Sequence, residues 1–141
     1  MRFSPSVSPL ALASALLAWA GNLALAYQPA VNYQLNCMGC HLADGSGERD
    51  RVPSLRRSMP LLSGSPEGRD YIIRVPGVAQ SPLSDEETAA LLNWMARNLS
   101  DSALAPGFVE FSAAEVQRSR PHPLARVRQT RRRLLQDSTG R

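Results

Sequence analysis

The chain has 141 residues, the size of one domain, and its formal net charge of +4 comes from arginine alone, for there is no lysine. Residues 27 to 112 carry seven Arg against ten acidic residues, a net of −3, whereas residues 113 to 141 carry eight Arg against Glu115 and Asp137, a net of +6. Basic charge confined to one tail behind an acidic body argues against a nucleic-acid-binding domain and for a body with a basic appendage.

The chain opens with Arg2 and an apolar run from Leu10 to Ala26 that ends in the small-x-small pattern Ala24-Leu25-Ala26. A membrane-spanning helix wants about 20 apolar residues. This run has 17 and is interrupted by Gly21 and Asn22, so residues 1 to 26 read as a secretory signal peptide cleaved after Ala26. Export also matters for thiols, which do not simply stay reduced outside the cytosol.

A short helix is expected from Tyr33 to Leu42, then a polar loop (43 to 54) with two Gly and a Pro. A short helix within 54 to 63 is limited by Pro60. Ser65-Pro66 supplies an N-cap and a first helical residue, with Tyr71, Ile72 and Val75 on the apolar side and Pro76-Gly77 as the stop. Residues 78 to 83 read as a loop. Ser84 and Glu87 form a capping box for a helix over about 85 to 99, whose apolar face is Leu91, Leu92, Trp94, Met95 and Leu99. After a linker (100 to 111), Ser112 and Glu115 suggest a second capping box, with the helix running to about Arg120. Pro121-His122-Pro123 breaks it, and the final segment sets Leu124, Val127, Leu134 and Leu135 on one side. No stretch reads as a strand.

The two cysteines stand in Cys37-Met38-Gly39-Cys40-His41. A Cys₂His₂ zinc site would need adjacent Cys40 and His41 to share one ion, with His122 far downstream. A redox dithiol needs a preceding strand, and none is visible. A Cys37–Cys40 disulfide would close a very small loop and leave His41 unexplained. Covalent c-type haem attachment accounts for all three residues. Both thiols add to the vinyl groups as thioethers, and His41, next in the chain, gives its imidazole to iron. A mature chain of 115 residues buries only about two thirds of its unfolded surface, and a covalently held apolar cofactor would supply missing core.

From Asn32 to Ser100 the chain resembles the small single-haem class I c-type cytochromes. The resemblance rests on CMGCH, the DGSG loop at 44 to 47, Val52-Pro53 and Leu55, RVPG at 74 to 77, and LSDEETAALLNWM at 83 to 95. It implies an all-α class I cytochrome c fold over 27 to 104, with a basic helical C-terminal extension over 105 to 141. It also implies one covalent haem c with its iron, and a hydrogen bond from the proximal His41 to the Pro53 carbonyl. Trp94 matches the aromatic of the family's last helix and reads equally well as an ordinary core residue.

The chain departs from the family where a methionine, the usual sixth iron ligand, is expected before the last helix. The loop there reads VPGVAQSPLS. Met38 lies between the haem cysteines and cannot reach the far face, Met95 reads as core, and His122 would have to fold back. Met59 is the best side-chain candidate, on a loop able to arch over the ring, and an iron with no protein ligand on that face is the other option. The expected function is a periplasmic, non-enzymatic carrier of single electrons between redox partners. The alternative is an open-site haem protein acting as a small-ligand sensor or peroxidase-like enzyme, with Arg56, Arg57 and Arg74 as possible distal donors. The Arg131–Arg133 run would meet an acidic partner surface or anionic lipid, and no membrane span is expected once the signal is cleaved.

Overall fold

The computed structural model describes residues 28 to 139, the last by its backbone. The signal-peptide expectation for residues 1 to 26 lies outside them. Eight helices occur among the described residues: α1 (Pro29–Asn36), α2 (Met38–His41), α3 (Leu55–Leu62), α4 (Pro66–Arg74), α5 (Pro76–Ala79), α6 (Asp85–Asn98), α7 (Ala113–Ser119) and α8 (Val127–Thr139). There is no strand among them, only an isolated antiparallel bridge between Glu48 and Val52.

The helices begin where local chemistry favours it. Pro29 and Pro66 open α1 and α4 with their φ already helical, and the Ser65 hydroxyl accepts from Gly68 N at 3.2 Å. The capping box of α6 is complete: Glu87 N donates to Ser84 Oγ at 3.1 Å and Ser84 N to Glu87 Oε2 at 2.9 Å. At α7 only half of the expected box forms. Glu115 N donates to Ser112 Oγ, but the Glu115 carboxylate turns to Arg69.

Three local expectations change. The helix expected over Tyr33 to Leu42 is broken at Cys37 (φ −126°, ψ −34°), so α2 is a separate turn. Pro76 does not merely stop α4 but starts the single turn α5, which takes up Val78 and Ala79 from the expected loop. Pro60 sits inside α3. Lacking an N–H, it cannot satisfy the Arg56 carbonyl one turn back, and Asp101 N donates there instead at 3.1 Å.

The core gathers Tyr33, Met59, Leu62, Ile73, Leu92, Met95 and Ala96 between α1, α3, α4 and α6. Helix α1 packs on α6, α3 on α4 and α6, and α8 on α3 and α4. At the α3–α4 corner a Cβ on Gly68 would lie 2.0 Å from the Leu62 carbonyl oxygen, so only glycine allows this approach. Phe111, Val116 and Leu134, all after residue 104, are buried in the same cluster. Each such side chain contributes about 1.5–3 kcal/mol.

The C-terminal segment is keyed to the body by arginine. Arg69 of α4 meets Glu115 of α7 twice, Nε to Oε1 at 2.8 Å and Nη2 to Oε2 at 2.6 Å, and lies 4.0 Å from the Phe111 ring centroid. It also donates to the Val109 and Glu110 carbonyls. The Asn93 side chain pairs with the Phe111 backbone as a strand would, donating to its oxygen at 2.9 Å and accepting from its nitrogen at 2.7 Å.

Candidate functional site

The site is built on the break between α1 and α2. Cys37 N donates to Tyr33 O, ending α1, and His41 N donates to Cys37 O at 2.9 Å, so both cysteines and the histidine share one turn. The thiols are not joined: Cys37 is half-buried and Cys40 exposed. Burial, and then the neighbouring Cys40, push the Cys37 thiol up to about 11. A thiol so protonated is a poor redox nucleophile at neutral pH.

The loop after α2 brings Pro53 to His41. Leu42 takes a positive φ of 59°, and its carbonyl accepts the Tyr33 hydroxyl at 2.6 Å. Asp44 Oδ1 accepts from Ser46 N, Gly47 N donates back to His41 O, and Glu48 pairs with Val52. Gly47 has φ +71°, and a Cβ there would lie 2.4 Å from Val52 O and 3.0 Å from Pro53 O. The glycine therefore lets the loop close tightly enough to place the Pro53 carbonyl 3.2 Å from His41 Nδ1. A carbonyl only accepts, so Nδ1 carries the proton and Nε2 keeps its lone pair in the neutral ring. Burial lowers the His41 pKa, and the Pro53 bond opposes that in part. Asp44, held below the usual carboxylate range chiefly by its bonds to Ser46, faces Arg56 at 3.5 Å across the same loop.

Large apolar side chains stand in solvent beside this turn: Leu35 is 66 % exposed, Leu42 49 % and Met38 38 %. Trp94 of α6 packs on Tyr33 behind it, with ring centroids 5.5 Å apart and planes tilted by 42°. Among the described residues no group of three or more His, Cys, Asp or Glu side chains could hold a metal ion, so the two cysteines and two histidines are not gathered into a zinc site. His122 is exposed, in the turn before α8, and its carbonyl accepts from Arg74 Nε at 2.6 Å.

Met59 is 2 % exposed and lies within α3, not on an arching loop as the sequence suggested; Met95, on α6, is 4 % exposed. The segment where the family's methionine is expected is held by a residue that no sequence motif singles out. Arg120, at the end of α7, donates to the carbonyls of Leu83 (2.8 Å), Ser81 (2.9 Å) and Ala79 (3.4 Å) and to Asp85 Oδ1 (2.9 Å). Arg74, suggested as a distal donor, is instead engaged with Asp70 and His122. No local signal marks Arg120, for its acceptors are mostly backbone atoms some 40 residues away.

No protein-family model matches the sequence. The chain is 32% identical over 122 residues to a cytochrome c-552 of Thermus thermophilus, covering 74% of this chain and 82% of that protein. A second Thermus thermophilus cytochrome c-552 is 32% identical over 106 residues, covering 62% of this chain and 81% of that protein. With an all-helical fold and a CxxCH turn, the chain belongs to the c-type cytochromes, proteins that hold haem c and its iron covalently.

Proposed function

We propose that this protein is an exported, periplasmic carrier of single electrons and not itself an enzyme. Cys37 and Cys40 tether the haem through thioether bonds, and His41 Nε2 is the proximal ligand of its iron. The haem supplies an iron that changes oxidation state by one electron. The observation that carries the reading is the 3.2 Å bond from His41 Nδ1 to Pro53 O beside two unlinked thiols on one turn. That bond fixes the ring and its tautomer, leaves Nε2 as the free donor, and raises the basicity of the ligand. The exposed Leu35, Met38 and Leu42 suit contact with an apolar macrocycle. Met59 is the proposed sixth ligand, from the helix that directly follows Pro53.

A second reading is favoured by one observation: the segment before α6 has no methionine, and both Met59 and Met95 are buried in the core. On that reading the far face of the iron is open, and the protein is a small-ligand sensor or peroxidase-like enzyme.

The test is the purified protein from a host that matures c-type haem. Haem that resists acid–organic extraction, and is lost in the Cys37→Ser/Cys40→Ser variant, is expected; extractable haem would sink the tether. A low-spin spectrum that ignores CO, with a methionine–iron charge-transfer band lost in Met59→Ala, supports the carrier with Met59 ligation. Rapid CO binding by a high-spin protein would replace it by the open-site reading.

A further inference from the structure

The arginines of the basic tail are not equivalent; Arg118 and Arg126 are exposed but lie outside α8. Arg120 and Arg131 are used internally, the second donating to Ser58 Oγ at 2.8 Å. The run Arg131–Arg133 read from the sequence is therefore not one docking strip. Arg128, Arg132 and Arg133 are exposed and have no hydrogen-bond or ion-pair partner among the described residues. At about 100° per residue Arg132 and Arg133 fall on the solvent half of α8 with Gln129 and Gln136, and the exposed Arg128 stands at its edge, next to Leu135. Val127, Leu134 and Leu135 seat the other half on the body.

This arrangement works against the helix. Arg128 and Arg132 are like charges one turn apart, which destabilises a helix, and the one acidic residue of α8, Asp137, stands a turn from Arg133 and not from them. The charges are also held in place, because α8 packs on α3 and α4 and is fastened by Arg131. The solvent half has no large apolar residue with which to insert.

We propose that the solvent face of α8 docks the protein on an anionic phospholipid surface through Arg128, Arg132 and Arg133. Guanidinium forks bind phosphate oxygens in pairs. An acidic protein surface would also attract arginines, but three features favour lipid. The exposed surface of α8 carries no apolar anchor of the kind that dominates protein interfaces. The body behind it has a net charge of −3, which turns the molecule so that this face leads toward a uniformly negative plane. The cysteine turn lies at the α1–α2 junction, and α1 packs on α6 whereas α8 packs on α3 and α4, so docking here leaves that turn open to other contacts.

The test is co-sedimentation of the holoprotein with phosphatidylcholine vesicles, with and without phosphatidylglycerol, at low and high salt. Subtracting binding to neutral vesicles removes any contribution of apolar residues 10 to 26. Each arginine near an anionic surface contributes enough that Arg128→Gln/Arg132→Gln/Arg133→Gln is expected to lower partitioning about a hundredfold. Arg49→Gln/Arg57→Gln, on the body, is expected to leave it nearly unchanged, and binding by the wild type is expected to vanish at high salt. The triple variant alters only solvent-facing groups, and an unchanged melting curve confirms its fold. Equal binding to neutral and anionic vesicles, or undiminished binding by the triple variant, overturns the proposal. Failure to bind anionic vesicles, together with loss of salt dependence in electron exchange with an acidic redox protein in the triple variant, would assign the face to a protein partner instead. Co-sedimentation reads protein and not haem, so the lipid proposal and the tether fail separately.

Discussion

Arg69→Ala should be among the most destabilising single changes outside the apolar core. The guanidinium and the Glu115 carboxylate are only 12 % and 22 % exposed, and their contact is bidentate. Removing the arginine strands a half-buried carboxylate, takes a donor from the Val109 and Glu110 carbonyls, and removes the cation over Phe111. Breaking a fully buried pair costs about 3–5 kcal/mol. Residual exposure lowers that, and the lost carbonyl bonds and ring contact add to it, so about 3 kcal/mol is expected. For a chain of this length that is a fall in Tm of about 12 °C. Glu115→Gln keeps the shape and one acceptor and should cost about 1–2 kcal/mol. The assay is denaturant unfolding of the holoprotein for both single variants and the double, closed as a cycle, with hydrogen exchange of residues 109 to 120. A loss below about 1 kcal/mol in Arg69→Ala, or a coupling below about 0.5 kcal/mol, would refute the view that this pair fastens the C-terminal segment.

Tyr33 offers a pH test. Burial, and then the Cys37 and Asp44 charges, raise its phenol to about 12 from 10.0. The folded state thus binds the phenolic proton more tightly, so this stabilisation is complete below pH 10 and disappears as pH rises through 12. Thioether formation at Cys37 removes the thiolate contribution but not the burial. Tyrosinate absorbance in holoprotein and Tyr33→Phe should assign the late titration to Tyr33, and ionisation near 10 with the fold intact would contradict it. The same variant should lose about 1 kcal/mol, because the Leu42 carbonyl loses its phenol donor. Gly47→Ala should cost about 1–3 kcal/mol and shift the reduction potential, since its Cβ would push the Val52 and Pro53 carbonyls and so disturb the His41 bond. Gly77→Ala, with nothing within 4 Å, should do neither; equal effects from the two glycines would show that backbone freedom, not the Pro53 position, is at stake.

The helices follow from local rules because their causes are local. Ser84 and Glu87 meet within one turn, Pro66 carries its own φ, and Leu91, Leu92 and Met95 repeat at the helical period. The CxxCH spacing likewise needs only one turn of chain, which is why Cys37, Cys40 and His41 read as a unit from their order alone. Pro53 entered through resemblance, and its physical basis is the loop that Gly47 closes.

Other features were invisible for an equally definite reason. Arg120 reaches acceptors that are mostly backbone carbonyls, and a carbonyl looks the same in every residue. Nothing near Arg56 marks its carbonyl as the partner of Asp101, nor marks Asn93 as the partner of the Phe111 backbone. Composition could count eight arginines in the tail but not separate Arg120 and Arg131, spent on the body, from Arg128, Arg132 and Arg133, left to solvent. The sequence alone determined where the capped helices begin, the CxxCH spacing and the sign of the tail, but not the break at Cys37 or the turn α5. Only the tertiary structure decided which arginines remain free, and where Met59 and the segment before α6 lie, because those depend on contacts between residues far apart in the chain.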